Sequence, residues 1–147
     1  MTIVLLDTNV LLRLSDGASA EQSVAEHAVS RLRLRGDHPC ITAQNIIEFW
    51  AVATRPLDAN GLGWSTQRAA MEVTQLLDTF PLLVDGSDIL THWLTLVMVH
   101  DIKGKKVHDA RLVAVMQTHG VTHLLTFNTD DFTGYPHITL LHPKDIV

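Results

Sequence analysis

The sequence predicts an α/β fold of three layers, α/β/α, with helices on both faces of a mostly parallel central sheet of four to five strands. Three observations carry this. Ile3-Val4-Leu5-Leu6 is an unbroken apolar run near the N-terminus, the pattern of a strand buried on both faces. Thr122-His123-Leu124-Leu125-Thr126-Phe127 reads as a second core strand. Between and around them, short strands alternate with helical segments across short loops, the order that gives a parallel sheet covered by helices.

The elements follow in order. After Asp7-Thr8-Asn9, Val10 to Leu14 is a short helix stopped by Ser15-Asp16-Gly17. A longer helix runs from about Ala20 to Arg35, with Ser19 as cap and Gly36 as stop. Arg31, Arg33 and Arg35 gather at its C-terminal end, where cations complement the helix dipole. Pro39 to Thr42 is a strand, and Thr42 caps a helix over Ala43 to Thr54 that ends before Arg55-Pro56, because the residue preceding proline disfavours helical geometry. Ile46, Ile47, Phe49, Trp50 and Val52 give that helix a wide apolar surface, interrupted by Glu48. Leu57 to Trp64, with Asn60-Gly61 and Gly63, is expected to be a mobile loop. A helix over Ser65 to Thr79, a strand at Pro81 to Val84 and a helix over Asp88 to Val99 capped by Ser87 come next. The helix Val107 to Thr118 contains Leu112-Val113-Ala114-Val115-Met116 and must be buried nearly all round, with Gly120 just past its end. Ile138 to Leu141 is the last strand.

At 147 residues and 46% hydrophobic, the chain is expected to form a single domain over 1–147, large enough for a proper core. Its one cysteine, Cys40, excludes an internal disulfide. The N-terminus has no basic leader, and no apolar run approaches the roughly 20 residues of a spanning helix, so the expected location is cytoplasmic, away from membranes. A net charge of −5 argues against a duplex-coating protein, though not against an enzyme whose acids hold cations. None of the nine histidines forms a metal-binding signature.

Acids recur at one topological address. Asp7 and Asp131 follow the ends of two apolar strands, Asp109 opens the buried helix, and Glu48 interrupts an apolar helix surface. Asp7 and Asp109 also have structural explanations, as a helix cap and as a carboxylate in a first helical turn. If the crossovers are right-handed, all four elements converge at the carboxyl edge of the sheet, where open parallel sheets bind ligands. Two carboxylates 4 Å apart repel by about 4 kcal/mol at an effective dielectric near 20, so such a cluster needs a counter-charge. Oxygen ligands without thiolates or clustered imidazoles select a hard cation, Mg²⁺ or Mn²⁺, and such sites do phosphoryl chemistry. Asp101 to Lys106, immediately before Asp109, supplies Lys103, Lys105 and Lys106 as phosphate contacts, and Trp64 is a candidate for base stacking.

Asp7-Thr8-Asn9 after an apolar strand, Glu48 within Asn45-Ile46-Ile47-Glu48-Phe49, Asp109-Ala110 before an apolar helix and Thr126-Phe127-Asn128-Thr129-Asp130-Asp131-Phe132 occur in an order and spacing that together resemble a PIN domain. The likeness spans nearly the whole chain and is nearest to the VapC-type toxins of toxin–antitoxin pairs. It implies an endoribonuclease dependent on Mg²⁺ or Mn²⁺, a homodimer, and a VapB-like antitoxin that silences it by inserting a peptide into the active-site groove. Carried over by residue, Asp7, Glu48 and Asp109 are the three core acids, both catalytic and metal-binding. Asp131 is the fourth, with Asp130 as the alternative because Asn128 stands where many relatives have an acid. Thr8, Asn9, Thr126 and Asn128 support the carboxylates. The Leu57 to Trp64 segment is generous for a compact toxin and leaves open a PIN nuclease with another partner. A haloacid-dehalogenase-like phosphatase would use Asp7 as nucleophile but needs a second acid where Asn9 stands. A PIN-fold binding module acting only through partner contacts is the remaining alternative, and the full set of acids counts against it.

Overall fold

No two consecutive apolar runs are close enough to pair as a hairpin, so every strand returns to the sheet through a crossover. The computed structural model describes residues 1–147. Strands β1 (Ile3–Leu6), β2 (His38–Thr42), β3 (Leu82–Leu83), β4 (His123–Leu125) and β5 (Thr139–Leu141) form one sheet in the order β3-β2-β1-β4-β5. All pairings are parallel. The helices are α1 (Thr8–Ser15), α2 (Gln22–Leu34), α3 (Ala43–Thr54), α4 (Thr66–Thr79), α5 (Ile89–Val99) and α6 (Lys106–Thr118).

The unbroken apolar run of β1 is sorted by its pleat. Val4 and Leu6 join Ile41 and Leu125 in a core completed by Val10, Leu11, Ala28, Leu32 and Phe49 from α1, α2 and α3. Leu5 points the other way and joins Cys40 and Leu124 against Leu96, Val113 and Met116 from α5 and α6. These two cores, one on each face of the sheet, are the expected α/β/α layers. In α6, Ala110 and Leu112 to Met116 are all buried, so its apolar run does lie inside. The chain builds outward from β1 to β2 and β3, then crosses to β4 on the other side of β1. Strand order therefore reverses between β1 and β4, which fixes where a crevice opens at the carboxyl ends. No helix is long and apolar enough to cross a membrane.

Several boundaries differ from the sequence expectations. Helix α1 begins at Thr8, because Asp7 is itself the N-cap. Glu21 rather than Ser19 precedes α2, and the Ser19 hydroxyl accepts a hydrogen bond from the Glu21 amide instead. Asp88 rather than Ser87 precedes α5. Strand β4 stops at Leu125, since beyond it the Phe127 amide donates to the Asn9 side chain and leaves the ladder. The apolar surface of α3 is narrower than expected, with Ile47 69% exposed.

The largest correction concerns Leu57 to Trp64, which is tied down along its length. A 3-10 turn at Leu57–Ala59 is followed by amide donation from Leu62, Gly63 and Trp64 to the carbonyls of Val52, Arg55 and Ala53. Trp64 is 9% exposed, edge-on to Phe49 with ring centroids 6.1 Å apart, and capped on its outer face by the Arg68 guanidinium. It is a core residue and cannot stack on a base.

Candidate active site

The site begins where β1 and β4 end. The Asp7 amide completes the sheet by donating to the Leu125 carbonyl, so the Asp7 side chain leaves the sheet directly into the crevice. Its two carboxylate oxygens are held separately. Oδ1 accepts from the Thr8 amide at 2.8 Å, and Oδ2 accepts from the Thr126 hydroxyl at 2.8 Å and from Asn9 Nδ2 at 3.2 Å. The capping and crevice roles weighed as alternatives from the sequence thus coexist in one residue. Thr126 is fully buried and works as a hub, since its oxygen also accepts from Asn9 Nδ2 and from the Asn128 amide.

Glu48 is brought in by α3. That helix starts at a reciprocal cap in which the Thr42 hydroxyl accepts from the Asn45 amide and Asn45 Oδ1 accepts from the Thr42 amide. The Asn45 amide group then donates to the Thr8 hydroxyl, which donates in turn to Glu48 Oε2 at 2.9 Å. The other oxygen, Oε1, accepts from Gln44 Nε2 at 2.9 Å, one helical turn earlier. Gln44 is fixed by Arg111, whose guanidinium donates to Gln44 Oε1 at 2.9 Å and to Asp85 at 3.1 Å.

Asp109 sits in the first turn of α6, partly buried, and Asp131 on an exposed 3-10 turn at Thr129–Phe132. Asp7, Glu48, Asp109 and Asp131 all line one cleft of about 340 Å³, with Thr8, Asn9, Asn128 and Arg55. Asp130 lies outside this cleft and lines a neighbouring one, so Asp131 and not Asp130 shares the cleft with the other three acids. Of the three lysines, Lys103 and Lys106 line that neighbouring cleft and Lys105 lines neither. Lys103 is also committed in part to Asp101, 3.6 Å away.

The acids feel one another. Burial raises the Asp7 pKa; hydrogen bonds from Thr126 and Thr8 offset this, and Glu48 and Asp131 push it up further. The Asp109 carboxyl is pushed up to about 6, first by burial and then by the charges of Asp131, Asp7 and Glu48, with Lys106 opposing. Unlike Asp7 and Glu48, Asp109 has no hydrogen-bond donor to steady its charge. A set of hard oxygen donors whose mutual repulsion Lys106 only partly offsets fits a divalent cation. No three His, Cys, Asp or Glu side chains are drawn close enough to make a ready cage, so the acids share a cleft rather than a closed coordination sphere.

The fold and this cleft can be set beside known proteins. The PIN domain profile matches residues 4–137. The chain belongs to the PIN domain family. As a PIN domain its backbone is similar to that of VapBC2 from Rickettsia felis, at 12% identity and a TM-score of 0.72 over 96% of this chain and 98% of that one. It is also similar to VapBC-1 from nontypeable Haemophilus influenzae, at 18% identity and a TM-score of 0.70 over 97% and 98% of the two chains. Mycobacterium tuberculosis VapC20, described as a sarcin-ricin loop cleaving toxin, is 17% identical with a TM-score of 0.61 over 82% and 86%. At these identities the likeness establishes the fold. No curated protein matches the sequence significantly.

Three residues at this PIN site were not singled out from the sequence. Gln44 stands four residues before Glu48, a spacing that places both on one helix face and was available as a signal. Arg111 and Arg55 carried none, because an arginine at a helix edge reads as solvated until the fold shows what it touches. Asn9 is tethered to both Asp7 and Thr126, so it acts as a brace where the phosphatase alternative requires an acid.

Proposed function

We propose that this PIN domain is a divalent-metal-dependent endoribonuclease, the toxin of a VapBC-like pair. The observation that carries the reading is Asp109, a partly buried carboxylate without a donor, facing Asp7, Glu48 and Asp131 across one cleft. In this reading those four acids are catalytic and hold Mg²⁺ or Mn²⁺. When bound, such a cation supplies charge neutralisation at the phosphate and a water of lowered pKa. The chain's own residues do the positioning. Thr126, Asn9 and the Thr8 amide fix both oxygens of Asp7, while Thr8 and Gln44 fix both oxygens of Glu48, so neither acid must reorganise as charge develops. Asp109 and Asp131, which lack such braces, would complete the oxygen donors offered to the cation. Asn128 reaches the cleft beside Asp131 with its amide anchored on Thr126.

RNA as substrate is supported by the description of VapC20 as a loop-cleaving toxin and by the lysines flanking the acids. A VapB-like antitoxin is supported by the VapBC complexes that share the fold, and a cytoplasmic location accords with that pairing. A homodimer is supported by Leu90, Leu94 and Met98, which form an exposed stripe at a spacing of four along α5, at 70%, 49% and 72% exposure.

The test is cleavage of RNA with and without Mg²⁺ or Mn²⁺, followed by analysis of the ends. Hydrolysis by water leaves a 5′-phosphate and a 3′-hydroxyl. A 2′,3′-cyclic phosphate, the product of attack by the ribose hydroxyl, would contradict the reading. So would full activity in Asp7→Asn.

A further inference from the structure

Beside the acid cleft lies a second one of about 480 Å³, walled by the loop entering α6 and by the turn that follows β4. Its lining includes His100, Lys103, Lys106, Asp130, Asp131 and Tyr135. Asp131 lines both clefts, so the two adjoin at that residue. The volume is within the roughly 300–1,000 Å³ of small-ligand sites.

Tyr135 sets this cleft apart from an ordinary surface hollow. It is 9% exposed, its ring packed among Phe132 and His100 with centroids 6.5 and 5.4 Å away. Its hydroxyl has no hydrogen-bond partner in the chain and is not sealed off. It lies close enough to Asp109 to feel that charge, and burial together with Asp109 holds its pKa at about 12. At neutral pH the group is therefore a proton donor in a hydrogen bond and not a base. A buried phenol usually finds a partner within its own protein. Here Tyr135 lines a cleft that also presents two ammonium groups, Lys103 and Lys106, and a hydroxyl donor beside two cations matches the oxygens of a phosphate.

We propose that this cleft binds the nucleotide adjacent to the scissile phosphate, with the Tyr135 hydroxyl and Lys106 donating to its phosphate oxygens and Lys103 at the rim. The assignment rests on the nuclease reading above, because the occupant is identified as the continuation of a strand held at the acids. Asp101, Asp130 and Asp131 also line this cleft. Asp101 pairs with Lys103, while Lys106 makes no ion pair and only offsets part of the charge around Asp109, so Lys106 is the cation assigned to substrate.

The experiment is steady-state cleavage of a fluorescent single-stranded RNA with Mn²⁺, comparing the wild type with Tyr135→Phe, Lys106→Ala and the remote Lys144→Ala. Tyr135→Phe keeps the ring and removes one unpartnered hydroxyl, so it should leave the Tm unchanged or higher. It should raise KM by about ten- to a hundredfold, the worth of one hydrogen bond to a charged group, with kcat within about twofold. Lys106→Ala should flatten the slope of log(kcat/KM) against log salt by about 0.7, the value for one phosphate contact on a single strand, and Lys144→Ala should not. An unchanged KM in Tyr135→Phe, or an unchanged salt slope in Lys106→Ala, would overturn the subsite while leaving the nuclease standing. A wild type that cuts no RNA with Mn²⁺ would overturn both.

Discussion

At the scale of single residues, the site is an arrangement of fixed and unfixed carboxylates. Thr126 fixes the most, with a buried oxygen that donates to Asp7 and accepts from Asn9 and the Asn128 amide. Thr126→Val should cost about 1–3 kcal/mol in a denaturant melt, the usual range for leaving buried polar partners unsatisfied. Asp109 predicts a pH dependence of the opposite sign to the usual acid. Its carboxyl titrates near 6 in the fold against 3.8 when unperturbed, so between these values the native state holds the extra proton. The penalty is fully present above about pH 6 and is relieved as pH falls, making chelated protein more stable at pH 5 than at pH 7.5. Thermal melts should show this rise in the wild type and a smaller one in Asp109→Asn, which should also melt higher at pH 7.5. Asp7 and Glu48 stood out in the sequence because each breaks an apolar pattern, and Asp109 because it opens a helix with an apolar run behind it. Gln44 and Arg111 were not, since their partners are distant in sequence. Gln44→Ala should loosen Glu48 and lower kcat by about 10-fold or more, as misplacing a catalytic group does, while the Tm shifts by only a few degrees.

At the scale of elements, apolar periodicity located all five strands and six helices, and failed where backbone hydrogen bonds took over. β1 and α6 were readable because an unbroken apolar run requires burial whatever the neighbours are. Leu57 to Trp64 was misread because Asn60, Gly61 and Gly63 signal a change of direction, and nothing local shows that three amides will find carbonyls at the C-terminal end of α3 and just beyond it. Gly61 is needed there, since a Cβ at this position would run into the Arg55 backbone carbonyl. Gly61→Ala should therefore destabilise the chain by about 1–3 kcal/mol, the usual cost of overpacking, measured by urea denaturation. Trp64→Ala should cost about 3–5 kcal/mol as a core truncation, whereas Trp64→Phe should leave RNA affinity intact. Arg55, whose carbonyl accepts from the Gly63 amide, lines the acid cleft, whereas Leu57 to Trp64 themselves do not.

At the scale of the whole molecule, strand order puts the site where it is. The reversal between β1 and β4 opens the crevice, α3 and α6 approach it from opposite faces of the sheet, and the turn after β4 closes it with Asp131. The apolar stripe on α5 predicts self-association, and a wild type with the mass of two copies in light scattering should become one copy in Leu94→Glu/Met98→Glu. All else depends on whether these crowded acids are compensated by a divalent ion. The direct measurement is a thermal melt of wild type and Asp7→Asn with chelator and with millimolar Mn²⁺. The account predicts that Mn²⁺ raises the wild-type Tm by several degrees, about 2.7 kcal/mol of stabilisation at a hundredfold excess over Kd, and that Asp7→Asn loses most of this rise. A wild type that Mn²⁺ leaves unmoved, or a variant that keeps the full shift, would contradict it.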